Sequence, residues 1–498
     1  MKRLIILAIF VLCLSYVSPH LRPSQAALPV PEISQPKPND IAKITKDDRI
    51  LVLAPHPDDE SIACAGIIQE ALRVGADLHV LYLTNGDHNE FAFIVYEKRI
   101  TFMQSEFIYM GNLRQEEATK AMELLGLGKD NLIFLGYPDF GTFAIFREYW
   151  NTDRPYKSIL TRVTHVPYKN DLSYGNAYVG ENILQDVENI LKRYRPNKIF
   201  VSHPADVNSD HKAFYLFLQI ALADLKEELP RPEIYAYLVH WFDWPLPRHY
   251  HPELGLAPPQ ELRKSEIKWQ QYDLNPEVLE KKYKSILCYR SQTQSSAFYL
   301  LSFGRKNELF GDYPEIDAVN PKPVPGNARK EENRKTSWFK RLKTFLRFSA
   351  DDSADENGED DSGYQNQLYP VSYLVKGDNL LITINKSRNT LDRFNTLFYL
   401  FGYSQKTPFA KMPKIRVVAK RNKLWIFNGR DAISPQGVTF NLGEESAVLT
   451  IPLADLGNPD FILASVRGMT GKPFIETGVF RKVILKGVKN AGVKNNKN

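Results

Sequence analysis

Two short stretches of this chain concentrate side chains that bind metals and move protons. "LVLAPHPDDESIACAG" (residues 51–66) takes an apolar run to His56 and then places Asp58, Asp59 and Glu60 within four residues. "SHPADVNSDHKAF" (202–214) ends a second apolar run at His203, followed by Asp206, Asn208 and His211. Two imidazoles and a carboxylate from separate loops suit Zn²⁺, which takes His nitrogens and Asp oxygens and keeps its fourth position for water in catalytic sites. The carboxylates alone have a simpler account. Asp58 and Asp59 stand at a predicted helix start, where cap bonding and the helix dipole favour a carboxylate by about 0.3–1 kcal/mol each. Capping leaves His56 unexplained, and also a second histidine-bearing loop ahead of another helix. No HExxH or CxxC pattern in the sequence competes for a metal.

For these groups to meet, the fold must bring the ends of distant segments together. From Arg49 to Ile316, apolar β-rich runs alternate with helical patterns. Strands are predicted over 50–54, 78–84, 132–135, 198–202 and 234–239, and helices over 61–74, 114–125, 183–194 and 211–225. Such alternation implies βαβ units and a mostly parallel, Rossmann-like sheet covered on both faces. Loops leaving the carboxyl ends of those strands converge on one edge, where ligands bind. The predicted strand ends are polar one after another: His56–Glu60, Thr84–Asp87, Gly136–Asp139, His203–Asp206 and His240. Polar groups gathered at one end of each strand argue for a site rather than a solvated rim.

At these residues the sequence resembles the PIG-L/LmbE-like family of zinc-dependent N-acetylglucosaminyl deacetylases, whose signature is an HPDDE loop paired with a later DH. The resemblance runs over about residues 48–300. It includes "LRQEEATKAMELLGL" with Arg114 and Glu117, "GYPD", "HPAD" followed by "DH", and "KKYKSILCYRSQ" with Ser291 and Gln292. It implies that His56, Asp59 and His211 ligate Zn²⁺ and that Asp58 is the general base. Arg114, Asp139 and His240 are then expected around the substrate, with Arg114 alternatively orienting loops. Asp139 and Asp206 are alternatively expected to orient the ligating histidines. One position departs from the family pattern. Many relatives carry histidine three residues before the last ligand, where it steadies the oxyanion and protonates the leaving amine. Here that position is Asn208, which can donate a hydrogen bond but not a proton. The amine's proton is then expected from Asp58 acting twice, from His203 or from His240. Two alternatives remain at this point: a zinc amidase for another acyl group, and a glycan-binding protein that keeps the fold without turnover.

The remaining sequence frames this domain. At 498 residues the chain is too long for one ordinary core. Its net charge of +6 comes without a basic stripe interleaved with aromatics, which argues against nucleic acid as a partner. Met1-Lys2-Arg3, apolar Leu4 to Val17 and then Ser24-Gln25-Ala26 read as a signal peptide over 1–26. The apolar run is shorter than the roughly 20 residues of a membrane span. An extracytoplasmic location (periplasm, cell envelope or secreted) is therefore expected, with an uncleaved anchor as the alternative. Cys64 and Cys288 make no disulfide framework. The predicted order continues with a proline-rich leader over 27–47, the deacetylase domain over 48–318 and a charged linker over 319–367. In the linker Trp338, Phe339, Leu342, Phe345 and Leu346 recur at helical spacing among lysines and arginines, which suits peripheral docking on an anionic membrane or on a neighbouring domain. Residues 368–487 read as an antiparallel β-sandwich with a loose likeness to carbohydrate-binding modules, and 488–498 as a basic tail. The expected partner is an acetylated amino sugar or glycan. Nothing in the sequence points to an oligomeric state.

Overall fold

The computed structural model describes residues 38–88, 95–96, 103–263, 265–321, 371–385, 395–421, 423–469 and 478–486. The predicted signal peptide, the leader up to residue 37, the linker from residue 322 with its amphipathic stretch, and the basic tail lie outside the described residues. In chain order the first part comprises β1 (Asn39–Asp40), β2 (Arg49–Ala54), α1 (Asp59–Val74), β3 (Asp77–Thr84), α2 (Gln104–Leu125), β4 (Leu132–Tyr137) and α3 (Thr142–Glu148). It continues with α4 (Gly180–Tyr194), β5 (Lys198–Ser202), α5 (Ser209–Asp224), β6 (Glu233–Tyr237), β7 (Gln270–Asp273), α6 (Pro276–Cys288), α7 (Arg290–Leu300), β8 (Asn307–Phe310) and β9 (Ile316–Asp317).

Strands β1 to β8 make one sheet in the order β1-β7-β8-β6-β5-β2-β3-β4. The run β6-β5-β2-β3-β4 is parallel throughout, and β8 joins it antiparallel. Burial on both faces explains why β2 reads as the unbroken apolar run "ILVLA". Leu51 and Leu53 enter the core under α4 and α5, while Ile50, Val52 and Ala54 enter the core under α1 and α2. Helix α1 ends at Gly75, whose φ of 79° and N–H bonds to Ala71 O and Leu72 O form a left-handed cap. Helix α2 starts ten residues before the predicted Arg114. Gly111 and Asn112 weaken its intrinsic signal, yet Gly111 is required there, because a Cβ would lie 2.3 Å from the Tyr168 hydroxyl.

The second part is β apart from two short 3₁₀ turns (Phe409–Lys411 and Leu453–Leu456) among the described residues: β10 (Val371–Lys376), β11 (Asn379–Ile384), β12 (Asn395–Tyr403), β13 (Lys414–Lys420), β14 (Lys423–Asn428), β15 (Asp431–Ile433), β16 (Thr439–Leu442), β17 (Ala447–Pro452), β18 (Phe461–Met469) and β19 (Arg481–Ile484). They form a four-stranded sheet, β10-β11-β17-β16, and a seven-stranded one, β15-β14-β13-β12-β18-β19-β9. All pairings are antiparallel except β19 with β9. The two sheets bury Leu380, Ile382, Phe398, Leu400, Leu449 and Ile462 in a common cluster.

This β region does not stand apart on a linker, as the predicted boundaries suggested. β9 lies inside the predicted first domain yet completes the second region's larger sheet. Alternate residues of β12, Leu397, Tyr399, Phe401 and Tyr403, leave the β core and enter the core of the first region. Edge-to-face contacts join Phe143 to Tyr399 at 5.6 Å and Phe146 to Phe401 at 5.3 Å, and the Tyr403 hydroxyl donates to Asp224 at 2.8 Å. Each aromatic pair adds about 0.5–1.5 kcal/mol beyond the area it buries. No helix among the described residues is long and apolar enough to cross a membrane.

Candidate active site

β2 lies between β3 and β5, so the chain leaves it to one side first and later returns on the other. This is the switch point at which open α/β sheets bind ligands. The loop after β2 carries His56, Asp58 and Asp59; the loop after β5 leads into α5, with His211 in its first turn.

His56, Asp59 and His211 are buried, with one potential ligand atom from each lying within 4.8 Å of the others. Asp59 Oδ2 is 3.3 Å from His56 Nδ1 and 3.1 Å from His211 Nε2. Neither ring nitrogen of His211 makes an aligned hydrogen bond, although both lie 3.1–3.2 Å from a carboxylate oxygen. Three potential donor atoms held this close together are what a cation requires. The opposite nitrogens are each set by a carboxylate. His56 Nε2 lies 3.2 Å from Asp139 Oδ1 and 3.4 Å from Asp210 Oδ2, and His211 Nδ1 lies 3.2 Å from Asp206 Oδ2. A proton on those nitrogens leaves His56 Nδ1 and His211 Nε2 as acceptors, the arrangement by which carboxylates orient metal-binding histidines.

Charge points the same way. Burial disfavours the imidazolium of His56, but Asp139, Asp210 and Asp59 outweigh it and lift the group well above the usual histidine range. For His211, burial is likewise outweighed by Asp206 and Asp59, which raise it to about 9. Asp59, although its burial opposes ionisation, is held far below the usual carboxylate range by His211 and His56. Four buried carboxylates around two histidines therefore call for positive charge, and the donor set fits Zn²⁺.

Asp58 behaves differently from its neighbour. At φ 132° and ψ −27° it occupies backbone space that is costly for a residue with a Cβ, and such strain clusters at functional positions. It makes no side-chain cap bond to α1. The capping account therefore fails where it was strongest. The carboxylate instead accepts from Arg114 Nη2 at 3.2 Å, while its backbone N–H donates to Glu60 Oε2 at 3.1 Å. Burial pushes Asp58 up to about 7; Arg114 opposes this rise and Asp59 adds to it. Arg114 is not at the substrate surface. It is buried, donating to Pro57 O at 2.7 Å and to Gly86 O at 3.0 Å, so it ties the loops after β2 and β3 together. Gly86, at φ 67°, is needed there, because a Cβ would lie 2.0 Å from the guanidinium.

The remaining predicted residues separate. Asn208 caps α5: its Oδ1 accepts from the Asp210 N–H at 2.8 Å, which leaves Nδ2 as the end not used in the cap. His240 joins the site, with its ring centroid 4.5 Å from that of His211 and its Nδ1 3.2 Å from Asp206 Oδ1. Asp139 faces His56 and accepts from the His88 N–H, which is an orienting position rather than the expected substrate contact. His203 is the clear departure. Its Nδ1 accepts from the Ala205 N–H at 3.0 Å and its ring stacks on Trp269 at 5.4 Å. Burial drives its pKa down to about 3, so the ring is neutral and is a poor proton donor.

Two residues that the sequence reading left without a role prove central. Asp210 accepts from Phe140 N at 2.6 Å, from Thr142 N at 3.1 Å and from the Thr142 hydroxyl, which fixes the GYPD loop behind His56. Its position beside His211 in "SDH" was the available signal. Glu60 accepts from Ser61 Oγ at 3.1 Å and from the Tyr289 hydroxyl, and burial raises it to about 8. Glu117 accepts from the Ser291 N–H at 2.8 Å and its hydroxyl at 2.6 Å. The "KKYKSILCYRSQ" stretch thus braces the HPDDE and RQEE stretches from behind.

Residues 51–222 match the family model described as PIG-L, GlcNAc-PI de-N-acetylase. A 1D-myo-inositol 2-acetamido-2-deoxy-alpha-D-glucopyranoside deacetylase of Rhodococcus jostii is 32% identical over 85 residues, which is 17% of this chain and 28% of that protein. The protein of the same description from Rhodococcus opacus is 31% identical over 85 residues, again 17% and 28% of the two chains. The chain spans under a third of the length of these curated relatives. Among solved structures, the N,N'-diacetylchitobiose deacetylase of Pyrococcus horikoshii aligns over 53% of this chain and 84% of its own, with 18% identity and a TM-score of 0.32. Residues 51–222, which carry all three candidate metal ligands, form a PIG-L family domain.

Proposed function

We propose that this protein is an exported, zinc-dependent N-deacetylase that hydrolyses the N-acetyl group of an amino sugar or an N-acetylglucosamine-containing glycan. The observation that carries this reading is the pairing of two centres: the donors His56, Asp59 and His211 facing one point, and Asp58 held beside them by Arg114. The deacetylase descriptions of the family and of the matched relatives support the acyl-amide chemistry. Zn²⁺ bound by His56, Asp59 and His211 would lower the pKa of a water towards ~7 and polarise the acetyl carbonyl.

The chain's own residues do the remainder. Asp58 takes the proton of the attacking water, and a carboxylate raised to about 7 is well matched to that task near neutral pH. Asn208, oriented by the bond from its Oδ1 to the start of α5, donates from Nδ2 to the oxyanion. Asp58, which holds the water's proton, returns it to the leaving amine, with His240 beside His211 as the other candidate; Asn208 has none to give and His203 is neutral and turned to Trp269. The signal-like N-terminus supports a substrate outside the cytoplasm. We read the two C-terminal sheets as a β-sandwich that braces the catalytic region, since the larger sheet shares that region's apolar core. The test is to measure zinc per chain and acetate release from N-acetylglucosamine and its oligomers. A stoichiometric metal with acetate release is expected; a glycan-binding protein without turnover would bind sugar and release none.

A further inference from the structure

We propose that Arg248 forms an anion subsite at the rim of the metal centre, so that the amino sugar this protein deacetylates carries a carboxylate or phosphate group. The proposal rests on the N-deacetylase reading and adds the class of substrate. From the metal site outward, His211 meets His240 at 4.5 Å between ring centroids, His240 stacks on Tyr299 at 6.2 Å, and the Arg248 guanidinium lies 5.0 Å over the Tyr299 ring. The Tyr299 hydroxyl donates to Val239 O at 2.7 Å, one residue before His240, which ties its ring to the loop after β6. Two rings thus join the guanidinium to a candidate metal ligand.

Arg248 is held in place. Its Nη1 donates to Trp244 O at 2.9 Å, and Trp244 is itself fixed by donation from Nε1 to Ala257 O at 2.8 Å and by packing on Phe303. The loop start is anchored where the His240 N–H donates to Asp206 at 2.8 Å, and its end where the His249 N–H donates to Phe298 O at 2.8 Å. Guanidinium offers five donors, of which the described residues take one. No carboxylate among the described residues lies within salt-bridge distance of Arg248; Asp243 acts on it only at longer range. A half-buried, preorganised cation whose partners are one carbonyl and one ring gains from a ligand that supplies the opposite charge. Arginine's planar fork suits carboxylate and phosphate equally, so the site fixes the charge and leaves the source to experiment.

The test compares N-acetylglucosamine, N-acetylglucosamine 6-phosphate and N-acetylmuramic acid as substrates of the zinc-loaded full chain and of its Arg248→Gln and Arg248→Lys variants. The wild type is expected to favour at least one anionic sugar over the neutral one by roughly tenfold or more in kcat/KM, chiefly through KM. Arg248→Gln should collapse that ratio, Arg248→Lys should keep part of it, and raising salt from about 0.05 to about 0.5 M should erode it. Which anionic sugar gains distinguishes carboxylate from phosphate. A wild type without preference, or an Arg248→Gln variant that loses neutral and anionic substrates equally, would overturn the subsite. If no sugar releases acetate, the deacetylase reading fails separately. Calorimetric binding of the same sugars then decides the subsite: roughly tenfold tighter anionic binding by wild type than by Arg248→Gln upholds it, and equal binding overturns it.

Discussion

Asp58 and Asp59 are adjacent in sequence and opposite in role. Asp59 is held ionised between two imidazoles, while Asp58 is strained, raised to about 7 and restrained by Arg114. Arg114 favours the ionised form of Asp58. Its loss raises the pKa further, and a base must be ionised to act. For Arg114→Met the acid limb of kcat/KM should therefore move to higher pH, by about one unit or more. An unmoved limb with a uniformly lower rate would reduce Arg114 to a loop tie. Asn208 combines two tasks that substitutions can separate. Asn208→Ala should lose an oxyanion donor, at roughly 2–4 kcal/mol in the barrier, and also a helix cap, at about 1 kcal/mol of stability. Asn208→Asp keeps an acceptor for the cap but no donor, so kcat should fall while the cap is retained. Full turnover by both variants would leave Asn208 as a cap alone. At this scale the sequence made the candidate ligands legible through HPDDE and its pairing with a later histidine-bearing loop, since DH alone recurs at Asp87-His88. It misplaced His203 because a histidine at a strand end looks identical whether its ring turns to the metal or to Trp269.

At the scale of elements, the parallel strands were legible because burial on both faces leaves unbroken apolar runs, as in β2 and β5. The helices behind the site were less so. α6 was not predicted although Asn275 and Pro276 mark its start, and the Asn275 side chain accepts from the Val278 N–H at 3.0 Å. What α6 and α7 do depends on long-range partners that local periodicity does not report, such as Glu117 with Ser291. Glu117→Ala leaves two buried donors of Ser291 unmet, so urea unfolding should show about 1–3 kcal/mol lost per group abandoned. An unchanged midpoint would mean that α7 is positioned by packing alone.

For the whole molecule, the change of style after residue 367 suggested a separable module. The structure gives the β region a second face. Phe480 packs on Phe143 at 5.8 Å, and its N–H donates to Pro204 O at 3.4 Å, in the loop that carries Asp206. Strand β12, "NTLFYLFGY", held the clue: successive rather than alternating apolar residues mean that both faces are covered. Deleting residues 368–487 uncovers Phe143 and Phe146, so the truncated chain should aggregate or lose activity even on a small acetylated sugar. A soluble truncation that deacetylates small sugars at the full rate would contradict bracing and return the region to glycan recruitment.

The most direct measurement sets zinc content beside acetate release for Asp58→Asn and Asp59→Ala. The amide of Asp58→Asn cannot accept a proton, so this variant should keep its metal and lose about 10²–10⁴-fold in rate. Asp59→Ala removes a donor and should lose metal and activity together. An active Asp58→Asn protein, or a full zinc complement in Asp59→Ala, would contradict the division of labour on which the account depends.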